Sequence, residues 1–238
     1  MYFNRIFLCF FCVALLFGGC KAPGEGPAAT DSVLQTGGEE EFISTLTFLG
    51  DSTTAHMGSR AKVEPRQIWA AKNRYLNLSS RITYEKIVCP SNGQEMTIAE
   101  VAATERPRRL VITLGVDYGV YYYRDEPKTF ALYYEKLLDV IGAASPNTTV
   151  ILQAIYPVGR ASRTITNEMI KNANAVIADI AKRRALVFVD ATSVLLDADG
   201  YLKEEYCYSA DGIHLTASAY DAILNHIKSY ESEIKVQK

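Results

Sequence analysis

The sequence predicts a doubly wound α/β domain, a mostly parallel central sheet covered by helices on both faces. Two observations carry that reading. Four short apolar runs rich in β-branched residues recur at 43–49, 110–114, 148–155 and 186–190, as strands buried on both faces require. Between them lie stretches with apolar residues at helical spacing, so strand and helix alternate as they do in units that build parallel sheets.

The first run ends in Gly50-Asp51-Ser52. A glycine at the end of a strand permits a tight turn, and residues 53–60 can start a helix with Asp51 or Ser52 as its N-cap. Ser52 then stands at the C-terminal edge of the sheet, where open α/β folds bind ligands and helix N–H groups can meet a developing negative charge. Residues 63–92 are the least regular; 80–88 reads as strand, followed by the turn signal Pro90-Ser91-Asn92-Gly93. Thr97 with Glu100 forms a capping-box pattern for a helix over 98–104, which Pro107 stops. The second strand, 110–114, ends at Gly115, and a helix over 129–141 places Phe130, Tyr133 or Tyr134, Leu137 and Ile141 on one face. After strand 148–155, Met169, Ala173, Val176, Ile177 and Ile180 mark a long amphipathic helix. Strand 186–190 precedes a final helix over 217–234, with Tyr220, Ile223, Leu224, Ile227 and Ile234 inward.

A chain of 238 residues with a formal net charge of -2 suits one globular domain and gives no support for nucleic-acid binding, which calls for a basic excess. The basic runs 106–109 and 182–184 precede strand-like segments and read as solvated element ends. Residues 1–20 read as a leader: Arg5, an apolar stretch over 6–17, then Gly18 and Gly19 before Cys20. Leu16-Phe17-Gly18-Gly19-Cys20 resembles a bacterial lipobox, which implies lipidation of Cys20 and an extracytoplasmic, membrane-anchored protein. Residues 21–41, rich in Gly, Pro, Ala and acidic side chains, read as a flexible tether, and 42–238 as the domain, expected to be a monomer. Outside the leader and Cys20, Cys89 and Cys207 remain, either a disulfide in an oxidising compartment or two isolated thiols. No CxxC or His-rich spacing points to zinc.

Ser209-Ala210-Asp211-Gly212-Ile213-His214 lies just before the last helix. A serine hydroxyl is a poor nucleophile unless a base takes its proton, histidine is the usual base, and a carboxylate on its other nitrogen fixes the tautomer. Asp211 and His214, three apart, can supply that pair. An alternative makes Asp51, Asp117, Asp211 and His214 ligands of a hydrolytic metal.

Gly50-Asp51-Ser52 after the first strand, with Asp211-Gly212-Ile213-His214 before the last helix, resembles the SGNH (GDSL) hydrolase family over the whole of 43–238. The resemblance implies a flavodoxin-like three-layer sandwich, Ser52 as nucleophile, His214 as general base and Asp211 as its partner. It also implies hydrolysis of acyl or acetyl esters of lipids or carbohydrates without cofactor or metal. Where the family carries Gly-x-Asn, with the asparagine donating to the oxyanion, this chain has Gly115-Val116-Asp117. An ionised aspartate has no proton to donate and repels the oxyanion, whereas a protonated one would donate. The backbone N–H of Ser52 is the remaining expected donor, with Asn73, Asn92 and Gly93 as candidates to compensate. Asp117 therefore sets a serine esterase against a weakly active or inactive carbohydrate-binding protein on the same fold. Tyr118, Tyr121, Tyr122 and Tyr123 after Asp117, together with Trp69 and His56, either line a substrate site, stacking on sugar rings or holding an acyl group, or pack the loops. An acetylated carbohydrate is the expected substrate, and an acyl-enzyme resolved by a sugar hydroxyl would make the protein an acyltransferase.

Overall fold

The computed structural model describes residues 41–236; the leader, Cys20 and the tether up to residue 40 lie outside the described residues. In chain order the strands are β1 (Leu46–Gly50), β2 (Ile68–Trp69), β3 (Lys86–Val88), β4 (Glu95–Thr97), β5 (Arg109–Thr113), β6 (Thr149–Gln153) and β7 (Val187–Val189). The helices are α1 (Ser52–Arg60), α2 (Ile98–Glu105), α3 (Pro127–Ala144), α4 (Asn167–Arg183), α5 (Thr192–Leu195), α6 (Ala217–Ser229) and α7 (Glu231–Val236). Five strands form one parallel sheet in the order β2-β1-β5-β6-β7, and β3 pairs with β4 as a separate antiparallel hairpin.

Alternation along the strands divides the core in two. Leu46, Phe48, Val111 and Ile151 face the layer of α1, α6 and α7, where Met57, Tyr220, Ile223, Ile227 and Ile234 close over them. Leu49, Leu110, Ile112 and Leu152 face the opposite layer, packed by Val101 of α2, Phe130, Tyr134, Leu137 and Ile141 of α3, and Ile170, Ile177 and Ile180 of α4. Each buried aliphatic side chain stabilises the sandwich by roughly 1.5–3 kcal/mol. The three-layer α/β architecture is the one the alternating pattern predicts.

Departures from expectation are local. β1 starts at Leu46, not residue 43, and Gln67 Nε2 fixes the entry to it by donating to the carbonyls of Ile43 and Leu46 at 2.8 and 2.7 Å. The stretch 80–88 is mostly not strand: Ile82–Tyr84 is a 3₁₀ turn, and β3 follows it. The Pro90–Gly93 turn then joins β3 to β4, with Gly93 at φ +72°. The capping box on α2 forms, Glu100 accepting from Thr97 N at 2.8 Å. The final helix breaks at Tyr230, whose N–H closes α6 onto the carbonyls of Ile227 and Lys228. Cys89 and Cys207 are both free thiols, so the disulfide alternative fails. Cys89 is buried with its Sγ 3.1 Å from Glu105 Oε1, while Cys207 sits in another part of the fold beside Gly159.

At Gly50, β1, β5 and α1 leave no room for a side chain. A Cβ there would lie 2.1 Å from the Thr113 carbonyl oxygen and 2.2 Å from Thr54 Oγ1. The neighbour is backbone and cannot turn away, so Gly50→Ala is expected to destabilise the domain by about 3 kcal/mol; the midpoint of urea unfolding measures it.

Candidate active site

The site lies where β1 and β5 end. Asp51 leaves β1 buried and serves as N-cap of α1, its Oδ1 accepting from Thr53 N at 3.4 Å and Thr53 Oγ1 at 3.0 Å. Its Oδ2 crosses to the turn after β5, accepting from Gly115 N at 3.0 Å and Val116 N at 2.9 Å. Burial, and then the charge of Asp117, push its pKa up to about 6, against these hydrogen bonds. The same carboxylate thus sets the helix start, which carries Ser52, and the turn, which carries Asp117.

Ser52 opens α1 with its side chain nearly buried. Its Oγ lies 3.2 Å from His214 Nε2, and His214 Nδ1 lies 2.7 Å from Asp211 Oδ2. Ser52, His214 and Asp211, 162 residues apart in sequence between serine and histidine, are brought into one hydrogen-bonded row. Burial works to raise the Asp211 pKa, but the Ile213 N–H, the His214 ring and the His214 N–H outweigh it and hold the pKa well below the ordinary carboxylate value.

Several contacts hold the loop bearing His214. Tyr208 N donates to His214 O at 2.8 Å, and Thr216 N to Tyr206 O at 3.0 Å. Arg60 of α1 donates to Leu215 O at 3.0 Å, and its guanidinium carbon lies over the Tyr208 ring, 3.4 Å from the centroid. Below it, Tyr220 of α6 donates to Thr53 O at 2.6 Å. Gly212, at φ +70°, accepts from Gly159 N at 2.7 Å, so this loop rests on the one that follows β6.

Asp117 is where the expected oxyanion donors are most altered. Its Oδ2 accepts from Ser52 N at 3.0 Å, and its Oδ1 lies 2.8 Å from Ser52 Oγ. The carboxyl group therefore covers the one backbone donor expected for an oxyanion. Burial raises its pKa above the ordinary carboxylate value, against the two hydrogen bonds from Ser52 and the charge of His214. Asn92 and Gly93 are taken up in the β3–β4 turn, where the Asn92 amide also reaches Met96 Sδ, while Asn73 Oδ1 accepts from Tyr75 N. The metal-ligand alternative also fails on donor geometry: Asp51 is turned onto backbone amides, and among the described residues no three His, Cys, Asp or Glu side chains converge.

The aromatic candidates divide. Trp69 is 1 % exposed, a core residue of the α2, α3 and α4 face, and cannot meet a substrate. Tyr123 packs edge-on against Tyr133 of α3. Tyr118, next to Asp117, stacks on Tyr122 with centroids 4.0 Å apart, and Tyr121 and Tyr122 are exposed. His56, one turn along α1 from Ser52, lies edge-on to His214 with centroids 4.5 Å apart. Burial and the nearby charges of His214, Arg60 and Arg74 push its pKa down to about 4, so it is neutral near pH 7 and its Nε2 can accept from Arg74 at 3.2 Å. Its i+4 spacing from Ser52 was the signal that could have placed it beside the row.

A family model described as the GDSL-like Lipase/Acylhydrolase family matches residues 48–222, from β1 into α6. Among solved structures, a GDSL-like lipase from Bacteroides thetaiotaomicron is similar at 16 % identity and a TM-score of 0.53, covering 82 % of this chain and 90 % of that one. A carbohydrate esterase family 3 protein from Talaromyces cellulolyticus is similar at 17 % identity and a TM-score of 0.50, covering 81 % of this chain and 99 % of that one. At such identities the likeness is one of fold. No curated protein sequence matches the chain.

Removing the Asp51 carboxylate would strand the amides of Gly115, Val116 and Thr53 at a buried junction. Asp51→Ala is expected to cost about 3 kcal/mol or more, since each buried unpartnered group costs about 1–3 kcal/mol; chemical denaturation reads it, and Asp51→Asn is expected to lose less.

Proposed function

The chain belongs to the GDSL-like lipase/acylhydrolase family, and from that premise we propose that it is a serine esterase working through Ser52, His214 and Asp211. The observation that carries the reading is the 3.2 Å approach of Ser52 Oγ to His214 Nε2 with Asp211 on the far nitrogen. Such a row supplies each step of acyl transfer. His214 takes the Ser52 proton as Oγ bonds to the acyl carbon and the carbonyl electron pair moves onto oxygen. Return of that pair breaks the bond to the alcohol, which leaves with the proton from His214. A water molecule then attacks the acyl-serine, giving its proton to His214; the acid departs and Ser52 regains its hydrogen. Asp211 holds the imidazole in the tautomer with its proton on Nδ1 and stabilises the imidazolium at each transfer.

For the substrate, the reading is an acetyl or short acyl ester on carbohydrate. Tyr118 and Tyr122, stacked beside Asp117, and the exposed Tyr121 offer flat faces of the kind that pack on sugar rings. The fold is also that of a carbohydrate esterase from Talaromyces cellulolyticus. The leader with Gly18-Gly19-Cys20 supports an extracytoplasmic protein anchored through lipid on Cys20 and facing such polymers. The hold of Asp117 on both donors of Ser52 favours a second reading, a sugar-binding protein with little or no turnover.

Hydrolysis of 4-nitrophenyl acetate and of an acetylated oligosaccharide by the parent protein and Ser52→Ala separates the two. The esterase reading expects Ser52→Ala to lose at least about 10³-fold in kcat/KM. A parent no faster than Ser52→Ala would leave the binding protein.

A further inference from the structure

Ser52 Oγ has one proton and two neighbours placed to take it. Asp117 Oδ1 is 2.8 Å away and His214 Nε2 is 3.2 Å away. The other imidazole nitrogen faces Asp211 Oδ2 at 2.7 Å, and Asp211 is held as an acceptor by the N–H groups of Ile213 and His214 at 2.7 and 3.2 Å. A neutral His214 therefore carries its proton on Nδ1 and presents Nε2 as an acceptor. If Asp117 is ionised, it too can only accept, and the serine proton goes to it along the shorter contact. Nε2 then receives nothing, or it holds a proton of its own and is no longer a base. If Asp117 is protonated on Oδ1, that proton is donated to Ser52 Oγ, the serine proton turns to Nε2, and Oδ2 still accepts from Ser52 N. Only this arrangement satisfies every contact with the base ready to act.

We propose that Asp117 acts as a catalytic carboxylic acid: protonated, it donates to Ser52 Oγ and directs the serine proton to His214; ionised, it locks the nucleophile. The proposal rests on the esterase reading and adds a second titrating group to it. The same proton serves the next step. An ester carbonyl that takes the Ser52 N–H must displace Oδ2, which leaves the carboxyl beside the growing negative charge, where the acid form is a donor and the ionised form a repulsion.

The surroundings favour the acid form. From the end of β1, Asp51 adds negative charge; burial and Asp117 push its own pKa up to about 6, while its four donors, Gly115 N, Val116 N, Thr53 N and Thr53 Oγ1, act against a proton on it. From the loop before α6 come His214 and, behind it, Asp211. From α1 comes His56, neutral and edge-on to His214, with Arg74 of the irregular segment turned onto it. Among the described residues no Lys or Arg is paired with Asp117, and burial raises its pKa.

The direct test is a carboxyl ¹³C NMR titration of aspartate-labelled full-length protein, with the Asp117 resonance identified by its loss in Asp117→Asn. Where the amide variant fails to fold, Asp117→Ser gives the same subtraction. A midpoint at least about 1 pH unit above the ordinary value of about 3.9 is expected. A midpoint at or below that value overturns the proposal, whether or not esters are cleaved. The kinetic test is kcat/KM on 4-nitrophenyl acetate against pH. The parent is expected to fall about tenfold per pH unit once the pH exceeds both the NMR midpoint of Asp117 and the midpoint of His214, whose neutral form is the base. Asp117→Asn, which cannot ionise, is expected to hold its rate to about pH 8 and exceed the parent there by at least about tenfold. Superimposable profiles for the two proteins would also overturn it. Rates in both proteins no higher than in Ser52→Ala count against the esterase reading instead, and the NMR midpoint still decides whether Asp117 is an acid.

Discussion

The Asp51 carboxylate is the contact on which the site depends. It caps α1 through Thr53 and reaches across to the amides of Gly115 and Val116 after β5. Both neighbouring strand ends are thereby fixed to one side chain, and the two residues that follow them, Ser52 and Asp117, are left facing each other. A buried carboxylate is costly to desolvate, and several N–H groups aimed at it offset that cost only while all of them stay in place. The close approach of Gly50 to Thr113 makes the geometry possible, because no larger residue lets the two strands and the helix meet there.

Much of the architecture was legible because parallel strands covered on both faces are uniformly apolar. The runs around Phe48, Val111, Ile151 and Val189 are all in the central sheet. What was not legible was short or depended on tertiary contacts. β2 is two residues long, Ile68 and Trp69, and its pairing to β1 leaves no periodic trace. The turn at Pro90–Gly93 could be read from its residues, while the hairpin it closes is only three residues per strand. The break at Tyr230 follows helical spacing on both sides, so the pattern of apolar residues runs through it unchanged.

In the site, the candidates that were easy to read are those whose chemistry depends on type and order. Ser52 at a strand end and Asp211 three residues before His214 form such a pattern, and the fold brings them together. The position of Asp117 could be matched to the family asparagine, but not the fact that both its oxygens engage Ser52, 65 residues away. That fact depends on strand order, which sequence does not carry. Trp69 shows the opposite error: an aromatic in an irregular stretch looked available to a substrate, yet its neighbour in the sheet, Leu49, takes it into the core.

The histidine loop has its own foundation. Gly159 and Gly212 meet backbone to backbone, and a side-chain carbon on Gly159 would lie 2.8 Å from Cys207 Sγ, while one on Gly212 would lie 2.9 Å from Ser162 N. Ser52 is thus borne by the β1–α1 junction, and His214 by a joint between two loops that the serine does not share. The two supports are linked through Arg60 of α1, which donates to the Leu215 carbonyl, and Tyr220 of α6, which donates to that of Thr53. Small changes at the glycine joint would act first on the imidazole and reach the serine's helix only through those links.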